Sequence, residues 1–197
     1  MRKSVFAVAI VSALLASGPA RADLIYDNGP IVGTGNWNIS GFTVTNSFTV
    51  SADATLTSAT IGAWVSIGAT PLTTTWAIGT SAFGSEISSG VSSLTNTYWG
   101  SYANALDIYS SSFSIGGVVT AGTYWLTLTG TTTSDGFGAY WDQNSGPSTA
   151  FQTLTGSIPS ESFQIYGTTA VPEPATWALM GLGLAAAPML RRGRRAA

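Results

Sequence analysis

The chain of 197 residues contains no cysteine and no histidine. It therefore has no disulfide to constrain its unfolded state, and the usual zinc and iron–sulfur sites lose their thiolate and imidazole ligands. Bases are nearly as scarce. The seven are Arg2, Lys3, Arg21, Arg191, Arg192, Arg194 and Arg195, so the body from Asp23 to Ala170 has none. That body holds Asp23, Asp27, Asp53, Glu86, Asp107, Asp135, Asp142 and Glu161, a side-chain charge of −8 against −2 for the whole chain. Such a surface cannot neutralise phosphates, so nucleic acid is excluded as a partner. An acidic polysaccharide would need bridging cations. Of the metals, only oxygen-ligated ions suit the side chains that remain, calcium above all.

The same absences bear on catalysis. A serine or threonine nucleophile needs a neighbouring base, and the body offers neither histidine nor lysine. Two carboxylates can hydrolyse a glycosidic bond, and Asp135 with Asp142, or Glu86 with Glu161, are the available pairs. Nothing in their spacing separates them from solvated loop acids. The glycine-containing stretches show no phosphate-loop pattern. The expectation is a protein that is not an enzyme, with a secreted hydrolase as the outside alternative.

What the chain does have is concentrated first at its ends. Arg2 and Lys3 precede the apolar stretch Val5 to Ala16, and Ala20-Arg21-Ala22 fits the small-x-small pattern of signal peptidase. Residues 1–22 read as a signal peptide, with the mature chain starting at Asp23; an uncleaved anchor competes poorly because the stretch is short. At the other end Val171-Pro172-Glu173-Pro174 is followed by an uncharged run, Ala175 to Leu190, and then by Arg191, Arg192, Arg194 and Arg195. As a helix the run spans roughly 24 Å, somewhat less than the roughly 30 Å of a bilayer core. Trp177 and snorkelling arginines can extend it, and the arginines place the C-terminus in the cytoplasm. Pro172 and Pro174 keep the segment around Glu173 extended and open to a protease.

This three-part tail, residues 169–197, resembles the PEP-CTERM sorting signal of Gram-negative bacteria. The resemblance implies an exosortase-type membrane protease as partner and passage through the inner membrane as a precursor. It further implies an exopolysaccharide-producing host, and a destination at the cell surface or in the extracellular matrix of a biofilm. A permanent single-span anchor that is never cut is the competing reading. The tail is sometimes labelled an ice-binding-protein C-terminal domain, a label that carries no activity.

Between the ends, residues 23–168 read as an all-β domain. Thr, Ser and Gly dominate, and short β-branched or aromatic runs alternate with turn residues. Gly41 to Val50 puts Phe42, Val44, Phe48 and Val50 on one face and Thr43, Thr45, Ser47 and Thr49 on the other. Leu56 to Ile67 puts Ala59, Ile61, Ala63, Val65 and Ile67 on one face and Trp64 on the opposite one. Thr74, Trp76 and Ile78 continue the period after a turn at Pro71. Residues 84–104 show no sustained period and read as a long connection or weak edge strands. The signal returns from Leu106 to Ile115, and Thr123 to Thr129 directs Tyr124, Leu126 and Leu128 one way and Trp125 and Thr127 the other. With Gly138 to Trp141 and Ser162 to Tyr166, about eight strands result. Their spacing predicts an antiparallel β-sandwich of jelly-roll type, flanked by the signal peptide and the C-terminal hydrophobic helix.

Threonine pairs at Thr43/Thr45, Thr55/Thr57 and Thr127/Thr129 have the alternation of an ice-binding surface, but no fixed repeat accompanies them. Ordinary strand faces account for them. The local constellation of interest is Tyr140-Trp141-Asp142-Gln143-Asn144. Aromatics beside oxygen-bearing side chains suit a neutral glycan, stacking on C–H groups and bonding hydroxyls. Alternation sends Tyr140 and Trp141 to opposite faces, so the competing reading is a core aromatic followed by an Asx-type turn. A third reading has Asp135, Asp142 and Asn144 hold calcium. Function is thus expected to be structural or adhesive in an exopolysaccharide-associated envelope, with a carbohydrate-binding module as the alternative.

Overall fold

The structure, a computed structural model, describes residues 22–169. The signal peptide but for Ala22, and the tail from residue 170 with its Pro-Glu-Pro motif, apolar run and arginines, lie outside the described residues. Within them the chain is all-β and sandwich-like, as its alternation requires, and every strand pair is antiparallel. One sheet contains β1 (Asp23–Asp27), β2 (Asn36–Asn38), β4 (Ala54–Ser66), β7 (Thr95–Tyr102), β8 (Leu106–Ser114), β9 (Val118–Val119), β11 (Tyr140–Asp142) and β14 (Phe163–Thr169). The other contains β3 (Val44–Val50), β5 (Pro71–Gly79), β6 (Ser88–Ser93), β10 (Gly122–Thr133), β12 (Ala150–Gln152) and β13 (Gly156–Ile158).

Strand β4 organises the first sheet. One of its edges takes β14 and then β11, and the other takes β9 and β8, with β7 outside β8. Order in the second sheet is β13-β12-β3-β10-β5-β6. Ala59, Ile61, Ala63 and Val65 of β4 meet Phe48 and Val50 of β3 and Leu126 and Leu128 of β10 in one buried core. Leu56 also faces inward, three residues before Ala59, because the pairing with β14 slips by one residue there. Each fully buried aliphatic or aromatic side chain contributes about 1.5–3 kcal/mol by leaving water. This core replaces the absent disulfides.

Two residues depart from their expected burial. Ile67 is 59 % exposed in the turn after β4, and Phe42 is 36 % exposed ahead of β3, because both lie where the strands have ended and alternation no longer applies. Trp64 is on the opposite face from Ile61 as expected, yet only 1 % exposed, so that face is covered as well. Residues 84–104 resolve into two edge strands of different sheets, β6 and β7, with Leu94 between them packed against the core. Asn96 ties the sheets together: its Nδ2 donates to Pro71 O at 2.7 Å while its Oδ1 accepts from Ser111 Oγ at 2.7 Å. The unforeseen strands β1, β2, β9, β12 and β13 have two to five residues each, too few for a period to emerge from the sequence.

The threonine pairs are divided between the sheets. Thr43 and Thr45 lie beside Thr129 and Thr127 on the outer face of the second sheet, with hydroxyls bonded to each other at 3.2 and 2.8 Å. Thr55 and Thr57 belong to β4 in the first sheet.

Candidate functional site

The outer face of the first sheet carries the polar chemistry. Because Ala59, Ile61 and Ala63 point inward, Thr60, Gly62 and Trp64 point outward. In register they lie opposite Ser112, Ser110 and Ile108 of β8, and Gln164 of β14 lies beside Thr60. The segment following β1, residues 28–35, folds across this face. It is strapped by Asp142, whose buried carboxylate accepts hydrogen bonds from Val32 N at 2.8 Å, Gly33 N at 2.9 Å and Trp64 Nε1 at 2.8 Å. Burial raises the Asp142 carboxyl above its ordinary range, and these donors offset part of that rise.

Asn28 anchors the start of the same segment. It is fully buried, its Nδ2 donates to Ser160 Oγ at 2.6 Å, and its Oδ1 accepts from Tyr26 Oη at 2.9 Å and Ser148 N at 3.1 Å. Asn144 Nδ2 donates to Asn28 O at 2.7 Å, and Gly146 N donates to Asn144 Oδ1 at 3.0 Å in an Asx turn. Gly146 must be glycine: a Cβ there would lie 2.0 Å from Asn28 O.

The five residues from Tyr140 to Asn144 are thus parts of the framework. Trp141 is fully buried on the core side, donating from Nε1 to Ser162 O at 2.8 Å with its ring edge-to-face on Phe163. Asp142 and Asn144 are buried in the bonds above, and Gln143 Oε1 accepts from Trp37 Nε1 at 3.1 Å. Tyr140 keeps partial exposure on the outer face. The alternation that separates the two aromatics puts the larger ring in the core, so this segment presents no free indole face to a sugar. Asp135 sits in the turn after β10, accepting from Thr133 Oγ1 at 2.6 Å and Phe137 N at 3.1 Å, and the threonine bond lowers its pKa. The N–H groups that converge on Asp142 have the wrong polarity for a shared cation. Among the described residues no three carboxylates gather in a metal-holding group.

Glu161 is on the core side near Asp142. It is fully buried, and neither carboxylate oxygen has a protein partner among the described residues. Burial first, and the negative charge of Asp142 second, push its carboxyl well above the usual range. Neither acid lines either of the two surface clefts described next.

The larger cleft, about 390 Å³, lies at the loop end between Asp27 to Pro30 and Asn144 to Pro147. The smaller, about 160 Å³, opens on the outer sheet face. Its walls are Pro30 and Ile31 of the strapped segment and the indole of Trp99; its floor is Thr60, Gly62, Ser110 and Ser162, with Gln164 at the rim. Gly62 lets the strapped segment close onto the sheet, since a Cβ there would meet Ser162 Oγ at 2.6 Å, Asp142 Cβ at 2.7 Å and Ile31 Cγ1 at 2.9 Å. Trp99 is the extra residue of a β-bulge, between the pairs Tyr98 with Tyr109 and Gly100 with Ile108. Its ring rests on Gly33, where a Cβ would be 2.9 Å away, and remains 48 % exposed.

Sequence reasoning missed Trp99 because it lies in a serine-rich stretch without a period. The signal was there. Tyr98, Trp99 and Tyr102 are large aromatics in a segment with no apolar alternation to place them in a core, and all three are exposed.

Residues 170–195 match the PEP-CTERM protein-sorting motif. This motif marks an exported protein that is processed by exosortase, a membrane protein, on its way to the cell surface. No curated protein and no solved structure matches the chain.

Proposed function

We propose that the protein is a non-enzymatic adhesive or structural component of the cell surface or extracellular matrix in an exopolysaccharide-associated envelope. The observation that carries this reading is the union of a PEP-CTERM tail with a body that has no base and a surface rich in hydroxyls. A domain without cations does not stick to polyanions by charge, so its contacts in a matrix are hydrogen bonds and apolar stacking. The engagement of two of the candidate acids supports the non-enzymatic reading: Asp142 is occupied by three N–H donors, and Glu161 is fully buried on the core side.

The test is made in the producing cell. Released protein analysed by intact mass should lack the residues after the Pro-Glu-Pro region, and fractionation should place it at the surface or in the matrix. A released form ending at Ala197, or one confined to the inner membrane, refutes the sorting half of the proposal. Replacing Arg191, Arg192, Arg194 and Arg195 by serine removes the charge that fixes precursor topology and is expected to impair that localisation.

A carbohydrate-binding role is the second reading. It is favoured by the partly exposed Trp99 beside a concave, hydroxyl-lined floor.

A further inference from the structure

Resting on that surface-adhesive reading, we propose that the cleft between Trp99 and Gln164 on the outer face of the first sheet binds one ring of a neutral polysaccharide chain. The parts match what a sugar presents. A pyranose has an apolar C–H face and a rim of hydroxyls, and recognition combines an aromatic ring with a few placed donors and acceptors. The indole of Trp99 is aimed over the cleft by a bulge, the kind of irregularity that redirects a side chain beside a site.

The floor carries hydroxyls. Thr60 and Ser110 are half-buried and offer the accessible hydroxyls, while Ser162, 1 % exposed, closes the base of the cleft. Size sets the extent of the contact. At about 160 Å³ the cleft is smaller than the roughly 300 Å³ of sites that engulf a whole ligand, so it fits one unit of a chain that continues across the sheet.

Charge sets the class. No base exists from residue 23 to residue 170, Asp142 lies beneath the cleft, and Gln164 Nε2 donates to Asp27 at the rim at 3.3 Å. An acidic chain would be repelled. A neutral one would not.

Affinity gel electrophoresis of the full-length chain in detergent tests this, with soluble starch, dextran or hydroxyethylcellulose as neutral probes and alginate as the acidic one. Retardation is expected in at least one neutral gel and not in alginate. Trp99→Ala should weaken retention at least tenfold with an unchanged melting midpoint, and Trp99→Phe should keep most of it. Ser110→Leu, which fills the cleft from the sheet surface, should abolish it, and this variant decides the matter if Trp99→Ala does not fold. Unretarded migration of the wild type in every neutral gel overturns the proposal. So does retention that survives Ser110→Leu, or that is lost on replacing Trp125, whose ring pairs with Phe151 on the other sheet's outer face. The localisation test above reads the broader proposal separately, so surface display without glycan retention removes the cleft and leaves the adhesive reading standing.

Discussion

Replacing Asp142 by alanine should release the segment that covers the first sheet, and the structure gives the size of the effect. Three donors lose their acceptor: Val32 N, Gly33 N and the indole of Trp64. Trp64 is fully buried, so its N–H is stranded at a cost of about 1–3 kcal/mol, while the partly buried amides can turn to water and lose about 1 kcal/mol each. Relief from burying a carboxylate acts in the opposite direction, as its raised pKa indicates. A net loss of about 3 kcal/mol results, which in a domain of this size lowers the melting midpoint by roughly 6–12 °C. Asp142→Asn should lie between: one oxygen can still serve Gly33 and Trp64, both of which bond Oδ1, but the amide NH₂ then faces Val32 N–H. A loss of about 1–2 kcal/mol follows. Thermal melts rank the variants, and hydrogen exchange at Val32 and Gly33 locates the effect. A midpoint for Asp142→Ala within a degree of wild type, or unchanged exchange at those two amides, would refute the strap.

Glu161 and Asp142 both have raised folded-state pKa values, so between the ordinary carboxyl range and those higher values the native state holds protons that the unfolded state has lost. Stability is therefore expected to fall as pH rises above about 4.5 through their folded values, by at most about 1.4 kcal/mol per pH unit for each group. Glu161→Gln should flatten that slope, and an unchanged slope in melts from pH 4.5 to 8 would contradict it. Trp141→Ala should cost about 3–5 kcal/mol, because it empties a fully buried site between Phe163 and the core; a loss under about 1 kcal/mol would contradict this placement. Millimolar calcium should leave the melting midpoint unmoved, whereas an ion at a hundredfold excess over its Kd would stabilise by about 2.7 kcal/mol.

Much of the fold was legible where a strand buries one face for its whole length. Thr123 to Thr129 alternates cleanly, and β10 buries Tyr124, Leu126 and Leu128 as that alternation demands. The serine-rich stretch from 84 to 104 was not legible, because edge strands need little burial and leave no period. The Tyr140 to Asn144 segment shows a different limit. Alternation separated Tyr140 from Trp141, but which ring entered the core depended on the second sheet, which the local sequence does not contain.

By itself, the sequence determined which side-chain chemistries the body lacks and that the chain carries an export-sorting tail. Those properties depend on residue identity and short linear order: no thiol or imidazole anywhere, no base between residues 23 and 170, and a tail read as an extended peptide, an apolar run and a charge cluster. Only the tertiary structure decided what happens on the sheet's outer face. Asp142 meets Val32 and Gly33 from 110 and 109 residues away, and Trp99 reaches Gly33 from another strand far along the chain. A strap and a cleft are made by register between distant strands, and register is fixed by the packing of the opposite face rather than by the residues that line the site.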